Sequence, residues 1–133
     1  MPPDGARSTR RPVALVIDDS EQTRKDARRI LLSFGFDVMQ ATDAETALRL
    51  CMAQAPALIL VDWLLPSLPG AAFLRALRGI AGTHQTAVIF LSVHGRAPDI
   101  HVAMRAGASE YLMKPFDADL LAFKLQQVGL LAA

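Results

Sequence analysis

The chain has 133 residues, of which 52% are hydrophobic and 20% charged, and its formal net charge is +1. This length fits one globular domain with an ordinary core, and the near-neutral charge lacks the basic footprint of a nucleic-acid-binding protein. No apolar run approaches the roughly 18–20 residues that span a bilayer, which argues against membrane insertion.

The beginning of the chain is polar and lacks the apolar segment of a signal peptide. Arg7, Arg10 and Arg11 make it basic, and we predict that residues 1–11 form a flexible arm. Residues 12–133 are predicted to form a single domain, with no output domain after it. Cys51 is the single cysteine and cannot form an internal disulfide, which favours a reducing cytoplasm.

Strand-like and helix-like segments alternate through the first half of this domain. The apolar run Val13–Ile17 predicts a buried strand, and Gly35 ends the helix pattern that follows it. Residues 36–41 predict the second strand, and Thr42 is predicted to cap the second helix in a capping box with Glu45. The inward positions of these helices are Thr23, Ala27, Ile30, Leu31 and Phe34 in the first, and Ala44, Ala47, Leu48 and Cys51 in the second.

The same alternation continues through the second half. The predicted strands are 57–61, 87–91 and 111–113, and a helix pattern follows each of them. These helices are marked by Phe73, Ala76, Leu77 and Ile80, by residues 98–106 before Gly107, and by Leu121, Leu125 and Val128 after the cap Asp117. Five such units with short apolar strands predict an α/β domain of the (βα)5 type around a parallel sheet.

Polar side chains stand where four of the predicted strands end. Asp18 and Asp19 follow the first strand, Asp62 the third, Ser92 the fourth and Lys114 the fifth. The carboxyl ends of parallel strands are where open α/β sheets bind their ligands. Each residue alone has a structural explanation, such as a helix cap, a turn or a surface lysine. Together they offer the three carboxylates, the hydroxyl and the ammonium that a magnesium-dependent phosphoryl-accepting site needs.

This set of residues resembles the receiver domain of two-component response regulators. The resemblance rests on the acidic pair, on the string Asp62-x-x-Leu-Pro-x-Leu-x-Gly, on Ser92 and on Lys114-Pro115, and it extends from about Pro12 to the last helix. The Asp62-Trp63 pair, with Pro66 and Gly70 downstream, is especially similar to chemotaxis-type single-domain receivers. The resemblance implies a flavodoxin-like, doubly wound sheet of five parallel strands in the order 2-1-3-4-5. It also implies a signalling domain that is no enzyme and catalyses only its own phosphorylation and dephosphorylation.

The resemblance also implies a chemical role for each residue of the site. Asp62 is the phosphoacceptor, whose carboxylate is the nucleophile and becomes an acyl phosphate. Asp19, Asp62 and the backbone carbonyl of Leu64 ligate Mg²⁺ directly, while Asp18 acts through water. Lys114 pairs with Asp62 at rest and with a phosphoryl oxygen afterwards.

Ser92 and Tyr111 match the switch residues of the family. Ser92 is expected to bond a phosphoryl oxygen, after which the ring of Tyr111 turns inward. The Lys114–Pro115 bond is expected to be cis, as in the family. Phosphorylation then reshapes the face of the fourth helix, fifth strand and fifth helix, which we call the switch face. Its candidate residues are Ile100, His101, Met104, Arg105, Tyr111, Lys124 and Gln127.

Three residues beside the site bear on the rate and lifetime of phosphorylation. Val93 stands where most receivers carry alanine or glycine, and its branched side chain would hinder the donor or the attacking water. Leu64 and His94 flank the same approach. Leu64 has no polar side chain with which to orient water, in contrast to His94. Capture of the phosphoryl group is expected, and its lifetime is left open.

Several partners and alternatives follow from this interpretation. The expected donor is a histidine kinase or a phosphotransferase, an output protein is expected to bind the switch face, and the chain is expected to be a monomer or a phosphorylation-linked homodimer.

The alternative is a receiver whose phosphorylation is blocked by Val93 and which binds partners constitutively. A phosphatase of the haloacid dehalogenase type is disfavoured. Enzymes of that type carry two aspartates two residues apart after the first strand, whereas Asp18 and Asp19 are adjacent. A flavodoxin-like cofactor module is disfavoured as well, since Asp18, Asp19 and Glu21 would repel a flavin phosphate.

Overall fold

The computed structural model describes residues 10–66, 68–93 and 97–132. Five strands lie in these ranges: β1 (Val13–Ile17), β2 (Asp37–Ala41), β3 (Leu58–Asp62), β4 (Ala87–Ser92) and β5 (Glu110–Met113). Five helices alternate with them in the same ranges: α1 (Glu21–Ser33), α2 (Ala44–Ala53), α3 (Gly70–Arg78), α4 (Ala97–Arg105) and α5 (Ala118–Gln127). The predicted alternation is confirmed. The predictions for Arg7, for His94 and for most of the arm concern residues outside these ranges.

The strands form one parallel sheet in the order β2-β1-β3-β4-β5, as the resemblance implied. β1 lies between β2 and β3, and its Ala14 pairs with Val38 on one side and with Leu58 on the other. The chain therefore builds one edge of the sheet first and then crosses β1 to build the rest. The loops after β1 and β3 diverge at this point and open a crevice at the carboxyl edge, where doubly wound sheets bind ligands.

Two hydrophobic layers cover the sheet, because successive strand residues point to opposite faces. Leu15 and Ile59 belong to the layer under α2, α3 and α4. Val16 and Leu60 belong to the layer under α1 and α5. All four side chains are fully buried, which explains why the strands are continuous apolar runs and not alternating patterns. The two layers hold the strand ends in place and so position the polar residues that follow them.

The second helix begins one residue later than predicted. The predicted N-cap Thr42 is wrong, because Asp43 caps α2 and accepts a 2.8 Å hydrogen bond from the N–H of Thr46. Asp43 has the extended backbone that a capping residue requires. Glu45 does not reach back, since its carboxylate pairs with Arg49 at 2.8 Å along the helix. Thr42 and Asp43 are adjacent and both can cap a helix, so the sequence alone leaves two possible first residues for α2.

The other helix ends follow the predicted caps. Gly35 and Gly107 have φ angles of 92° and 103°, which glycine adopts more readily than other residues. Asp117 caps α5 by accepting a backbone hydrogen bond of 2.8 Å from the first turn. In α3 the buried face differs from the prediction, because Leu74 is buried and Ala76 is exposed. No helix within the described ranges has the length and apolar character needed to cross a membrane.

Candidate functional site

The loop between β1 and α1 carries the acidic pair. The N–H of Asp18 donates to the carbonyl oxygen of Ala41 at 3.1 Å, which extends the pairing of β1 with β2. The carboxylate of Asp18 accepts from the N–H of Ser20 at 2.9 Å, and the Ser20 hydroxyl oxygen caps α1 through Thr23. Asp18 is completely buried, whereas Asp19 is exposed. The loop thus holds one carboxylate inside the protein and offers the other to solvent.

Asp62 is the last residue of β3 and is 8% exposed. Its Oδ1 accepts a 3.0 Å hydrogen bond from the N–H of Leu64, which holds the following loop against the strand end. Asp18, Asp19 and Asp62 each offer a carboxylate oxygen, and these oxygens lie within 4.8 Å of one another. The fold therefore brings Asp62 close to an acidic pair that is far from it in sequence.

Lys114 follows β5 directly and reaches into this acidic cluster. Its Nζ lies 2.8 Å from Oδ2 of Asp18 and 3.4 Å from Oδ2 of Asp62. The shorter contact is to Asp18, whereas the resemblance implied Asp62 as the resting partner. The Lys114–Pro115 bond is cis, as predicted. One ammonium opposes three carboxylates, so the cluster keeps an excess of negative charge that attracts a cation.

Burial and charge shift the pKa of both partners of the shorter ion pair. Desolvation raises the pKa of Asp18 above its ordinary value, although hydrogen bonds from Lys114 and Ser20 favour the ionised form. Burial by itself lowers the pKa of Lys114, but the hydrogen bond and charge of Asp18, with the charge of Asp62, outweigh burial and raise it. A further cation in the cluster would favour the ionised form of Asp18.

The donor atoms of the cluster suit a small, hard cation. Mg²⁺ takes oxygen ligands and is commonly held by one or two carboxylates together with water and phosphate oxygens. Among the described residues, no histidine or cysteine joins the three carboxylates, which disfavours zinc or copper. Asp19 opens the cluster to solvent and leaves room for water and for an anion. Asp18, Asp19 and Asp62 therefore fit Mg²⁺.

A cleft of about 480 Å³ opens beside the carboxylates. It is lined by Asp19, Ser20, Gln22, Thr23, Asp26, Asp62, Val93, Lys114, Pro115 and Phe116. Its walls come from α1 and from the loops after β4 and β5. Val93 lies on the wall with 55% of its surface exposed, and Leu64 is exposed nearby at the end of β3. The cleft leads from solvent to Asp62 and passes Val93.

Ser92 ends β4, and Tyr111 lies on the neighbouring strand β5, where it pairs with Phe90. Both are half-buried. They border one small cavity, which is lined by Trp63, Phe90, Ser92, Ile100, Ala103 and Tyr111. The cavity measures about 10 Å³, which is far smaller than an aromatic ring. An inward turn of Tyr111 therefore requires the surrounding elements to move apart.

Lys124 of α5 covers the ring of Tyr111. Its Nζ lies 4.4 Å from the ring centroid and 3.2 Å from Oε1 of Glu110. The same carboxylate oxygen accepts the N–H of Tyr111 at 3.0 Å. Lys124 and Glu110 are only 13% and 18% exposed, so solvent screens this pair less than a surface ion pair. The sequence prediction missed Glu110, because nothing local relates a strand residue to a lysine on the next helix.

Trp63 packs inside the loop after β3. Its indole meets the ring of Phe90 edge-on, with ring centroids 4.8 Å apart and an interplanar angle of 89°. A Cβ atom at Gly70 would overlap the indole, so the first residue of α3 must be glycine for the loop to close. Trp63 therefore has a packing role, and it also borders the cavity beside Tyr111.

The switch face is for the most part exposed to solvent. His101, Met104, Arg105 and Gln127 are exposed, while Ile100, Tyr111 and Lys124 are half-buried. The sequence prediction left out Met113 and Leu120, which are exposed and border one surface cleft with Tyr111 and Lys124. Val102 on α4 and Phe123 on α5 are exposed as well. Contiguous exposed apolar side chains are common at interaction surfaces.

Curated proteins and a family model match the chain over most of its length. A model of the response regulator receiver domain matches residues 14–126. The phosphate regulon transcriptional regulatory protein PhoB of Escherichia coli K12 is 30% identical over 114 residues, which are 86% of this chain and 50% of that protein. Its counterpart in Klebsiella pneumoniae is 31% identical with the same coverage. The chain spans about half the length of these relatives.

Solved structures match the fold closely. The chemotaxis protein CheY4 of Vibrio cholerae has a TM-score of 0.83 and 26% identity, over 90% of this chain and 99% of that chain. The receiver domain of the sensor histidine kinase PA1611 of Pseudomonas aeruginosa PAO1 has a TM-score of 0.78 and 26% identity, with the same coverage. In that crystal structure a magnesium ion is coordinated in the active site cleft.

Proposed function

The chain belongs to the response regulator receiver domain family, a family of two-component signalling domains, and on that premise we propose that it accepts a phosphoryl group on Asp62 in a reaction that requires Mg²⁺. The observation that carries this proposal is the meeting of Asp18, Asp19, Asp62 and Lys114 beside one solvent-open cleft. No single motif of the sequence would support the same conclusion.

The arrangement supports transfer onto the carboxylate of Asp62. A carboxylate oxygen attacks the phosphorus of a phosphohistidine, the P–N bond breaks, and the imidazole nitrogen leaves with the bonding pair. When bound, Mg²⁺ would neutralise charge on the carboxylates and on the phosphoryl oxygens. Lys114, whose Nζ lies 3.4 Å from Asp62, adds positive charge and a hydrogen bond for a phosphoryl oxygen.

We assign the inner metal shell to Asp19, Asp62 and the backbone carbonyl of Leu64, and a water-mediated contact to Asp18. The contrast between Asp18 and Asp19 supports the different roles of these two residues. Oδ1 of Asp18 accepts from Ser20 and Oδ2 accepts from Lys114, so both of its oxygens are engaged. Asp19 is exposed, and its carboxylate is open to a cation.

We further propose a histidine kinase or phosphotransferase as the donor and an output partner that binds the switch face. Ser92 and Tyr111 border one cavity, which supports their assignment as the switch pair. The exposed apolar side chains of the switch face support its role in partner binding. Three further points stay predictions from the sequence. They are the single-domain boundaries 12–133, the cytoplasmic location, and the state as a monomer or a phosphorylation-linked homodimer.

The alternative is a constitutive interaction module whose site is blocked by Val93. Val93 lies on the wall of the cleft and leaves a volume of about 480 Å³ open. The three carboxylates and Lys114 are all present, whereas a site that has lost its chemistry usually lacks some of them. Both observations favour the phosphorylated switch.

The test is intact-mass analysis after incubation with acetyl phosphate and magnesium. We expect the wild-type protein to gain one phosphoryl group, and Asp62→Asn, or wild-type protein in excess EDTA, to gain none. Asp26→Asn is the matched control, because Asp26 lines the same cleft outside the carboxylate cluster. Labelling of Asp62→Asn would contradict the mechanism. A wild-type protein that remains unlabelled would favour the constitutive module.

A further inference from the structure

Among the described residues, the three carboxylates of the acidic cluster differ in the hydrogen bonds that hold them. Asp18 and Asp62 each accept a backbone N–H and share the ammonium of Lys114. Within the described part of the chain, no hydrogen bond holds the carboxylate of Asp19. Its position therefore depends on the backbone, above all on the peptide that joins Asp18 to Asp19.

Arg24 of α1 holds that peptide. Its Nη1 donates a 2.7 Å hydrogen bond to the backbone carbonyl oxygen of Asp18. The N–H of Arg24 donates to the carbonyl oxygen of Ser20 at 3.1 Å, so one residue binds both ends of the loop between β1 and α1. Arg24 is half-buried, in contrast to Arg28 and Arg29, which are exposed on the same helix.

We infer that Arg24 is a positioning residue for the metal site and sets the direction in which Asp19 presents its carboxylate. The inference rests on the proposed function, since it concerns the same Mg²⁺ site. A peptide is planar, so a fixed carbonyl on Asp18 also fixes the N–H and Cα of Asp19. A hydrogen bond from a charged donor holds this plane more firmly than a neutral one.

The guanidinium of Arg24 does not contact the carboxylates proposed to bind the metal, so it does not compete with the cation. It donates to a backbone carbonyl oxygen and takes up none of the carboxylate oxygens of Asp18, Asp19 or Asp62. It also adds positive charge near an acidic cluster, which reduces the repulsion among the carboxylates. A loop that is ordered before the cation arrives loses less conformational freedom on binding. Partners of this kind typically change metal affinity by about 10–100-fold.

The test is a magnesium titration followed by NMR, with the amide signals of the loops after β1 and β3 as the measure of binding. We expect Arg24→Met to weaken magnesium binding about tenfold, because methionine retains apolar bulk but cannot donate. Arg24→Lys keeps a cationic donor and should recover part of the affinity. Arg28→Met, on the exposed side of α1, should bind as the wild type does. Titrations are run at a temperature at which every variant is folded, as checked by thermal unfolding in EDTA.

A purely structural role predicts a different pattern. It would lower the unfolding temperature of Arg24→Met in EDTA and leave the magnesium affinity of the folded protein unchanged. That result would overturn the inference while the proposed function stands. If Arg24→Met does not fold, Arg24→Lys and Arg24→Gln replace it, and wild-type affinity in both would overturn the inference. A wild-type protein that binds no magnesium would overturn the inference and the proposed function together.

Discussion

Val93 is the residue whose effect on the chemistry is most open to a direct test. It lies on the wall of the cleft that leads to Asp62, and we propose that its branched side chain narrows the approach of a donor or of water. We expect Val93→Ala to speed both phosphorylation by acetyl phosphate and hydrolysis of the acyl phosphate severalfold. Because Val93 is 55% exposed, the free energy of unfolding should change by less than about 0.5 kcal/mol.

Time courses of phosphorylation and dephosphorylation under matched magnesium and donor concentrations measure this effect. Val102→Ala is the matched control, since Val102 is 48% exposed on α4 and does not line the cleft. Equal time courses for Val93→Ala and the wild type would show that the valine does not obstruct the site.

At the scale of elements, the cap of α2 gives a prediction about pH. The carboxylate of Asp43 accepts hydrogen bonds from the N–H and from the hydroxyl of Thr46. The first of these bonds has the larger effect, and together they hold the pKa of Asp43 below its ordinary value. A group whose pKa is lowered on folding stabilises the folded state above its ordinary pKa of about 3.9. This stabilisation is lost as the pH falls through the lower pKa of the folded state.

Asp43→Asn keeps a side chain that caps well but carries no charge. We expect the wild type to unfold at a higher temperature than Asp43→Asn near neutral pH, and the difference to shrink at about pH 3, below the ordinary pKa. Thermal unfolding of both proteins at the two pH values measures it. A difference that does not depend on pH would mean that the charge of Asp43 contributes nothing to the cap.

The contact between α5 and β5 gives a prediction about the proposed switch residue Tyr111. Lys124 holds the ring of Tyr111 through a cation–π contact and pairs with Glu110. Such a contact contributes about 1 kcal/mol when partly desolvated, which corresponds to about a fivefold change in the population of a two-state element. We expect Lys124→Met to raise the population of the inward ring by about this factor.

NMR signals of Tyr111 and its neighbours measure this population, since they should move toward the positions found in the beryllofluoride-treated wild type. Lys25→Met is the control, because Lys25 and Glu21 form an exposed pair on α1, 69% and 72% exposed. Signals that stay at their wild-type positions in Lys124→Met would mean that Lys124 does not hold the ring.

The elements could be predicted from the sequence because the sheet is buried on both faces, so that each strand is an apolar run of its own. The polar residues at the strand ends could be predicted for the same reason, since each one interrupts such a run. The contact of Arg24 with Asp18 could not, because it depends on a side-chain rotamer and a loop conformation. The contact of Lys124 with Glu110 joins two elements, and local periodicity carries no information about it.

At the scale of the whole molecule, the parallel topology gathers the acidic residues at one edge. All five strands of the described sheet run in the same direction, so the residues that follow them meet at the carboxyl edge. Three carboxylates and one ammonium therefore share a small volume. The folded state brings Asp62 close to the adjacent Asp18 and Asp19, from which the unfolded chain keeps it apart, and the added repulsion opposes folding.

Because a bound cation would offset this repulsion, we predict that magnesium reverses the order of thermal stability of the wild type and Asp19→Asn. In EDTA we expect Asp19→Asn to unfold at a higher temperature than the wild type, because two like charges about 4 Å apart repel by about 1 kcal/mol in water. In saturating magnesium the wild type should be the more stable protein. A ligand that binds only the folded state stabilises it by about 2.7 kcal/mol at a hundredfold excess over its Kd, and Asp19→Asn has lost a charged ligand.

Thermal unfolding followed by circular dichroism, in EDTA and in magnesium, measures both orders. Asp26→Asn is the control, since Asp26 lies in the same cleft outside the cluster and should respond to magnesium as the wild type does. If magnesium stabilised Asp19→Asn as much as the wild type, Asp19 would not be a ligand. If Asp19→Asn were the less stable protein in EDTA as well, repulsion within the cluster would not limit the stability of the fold.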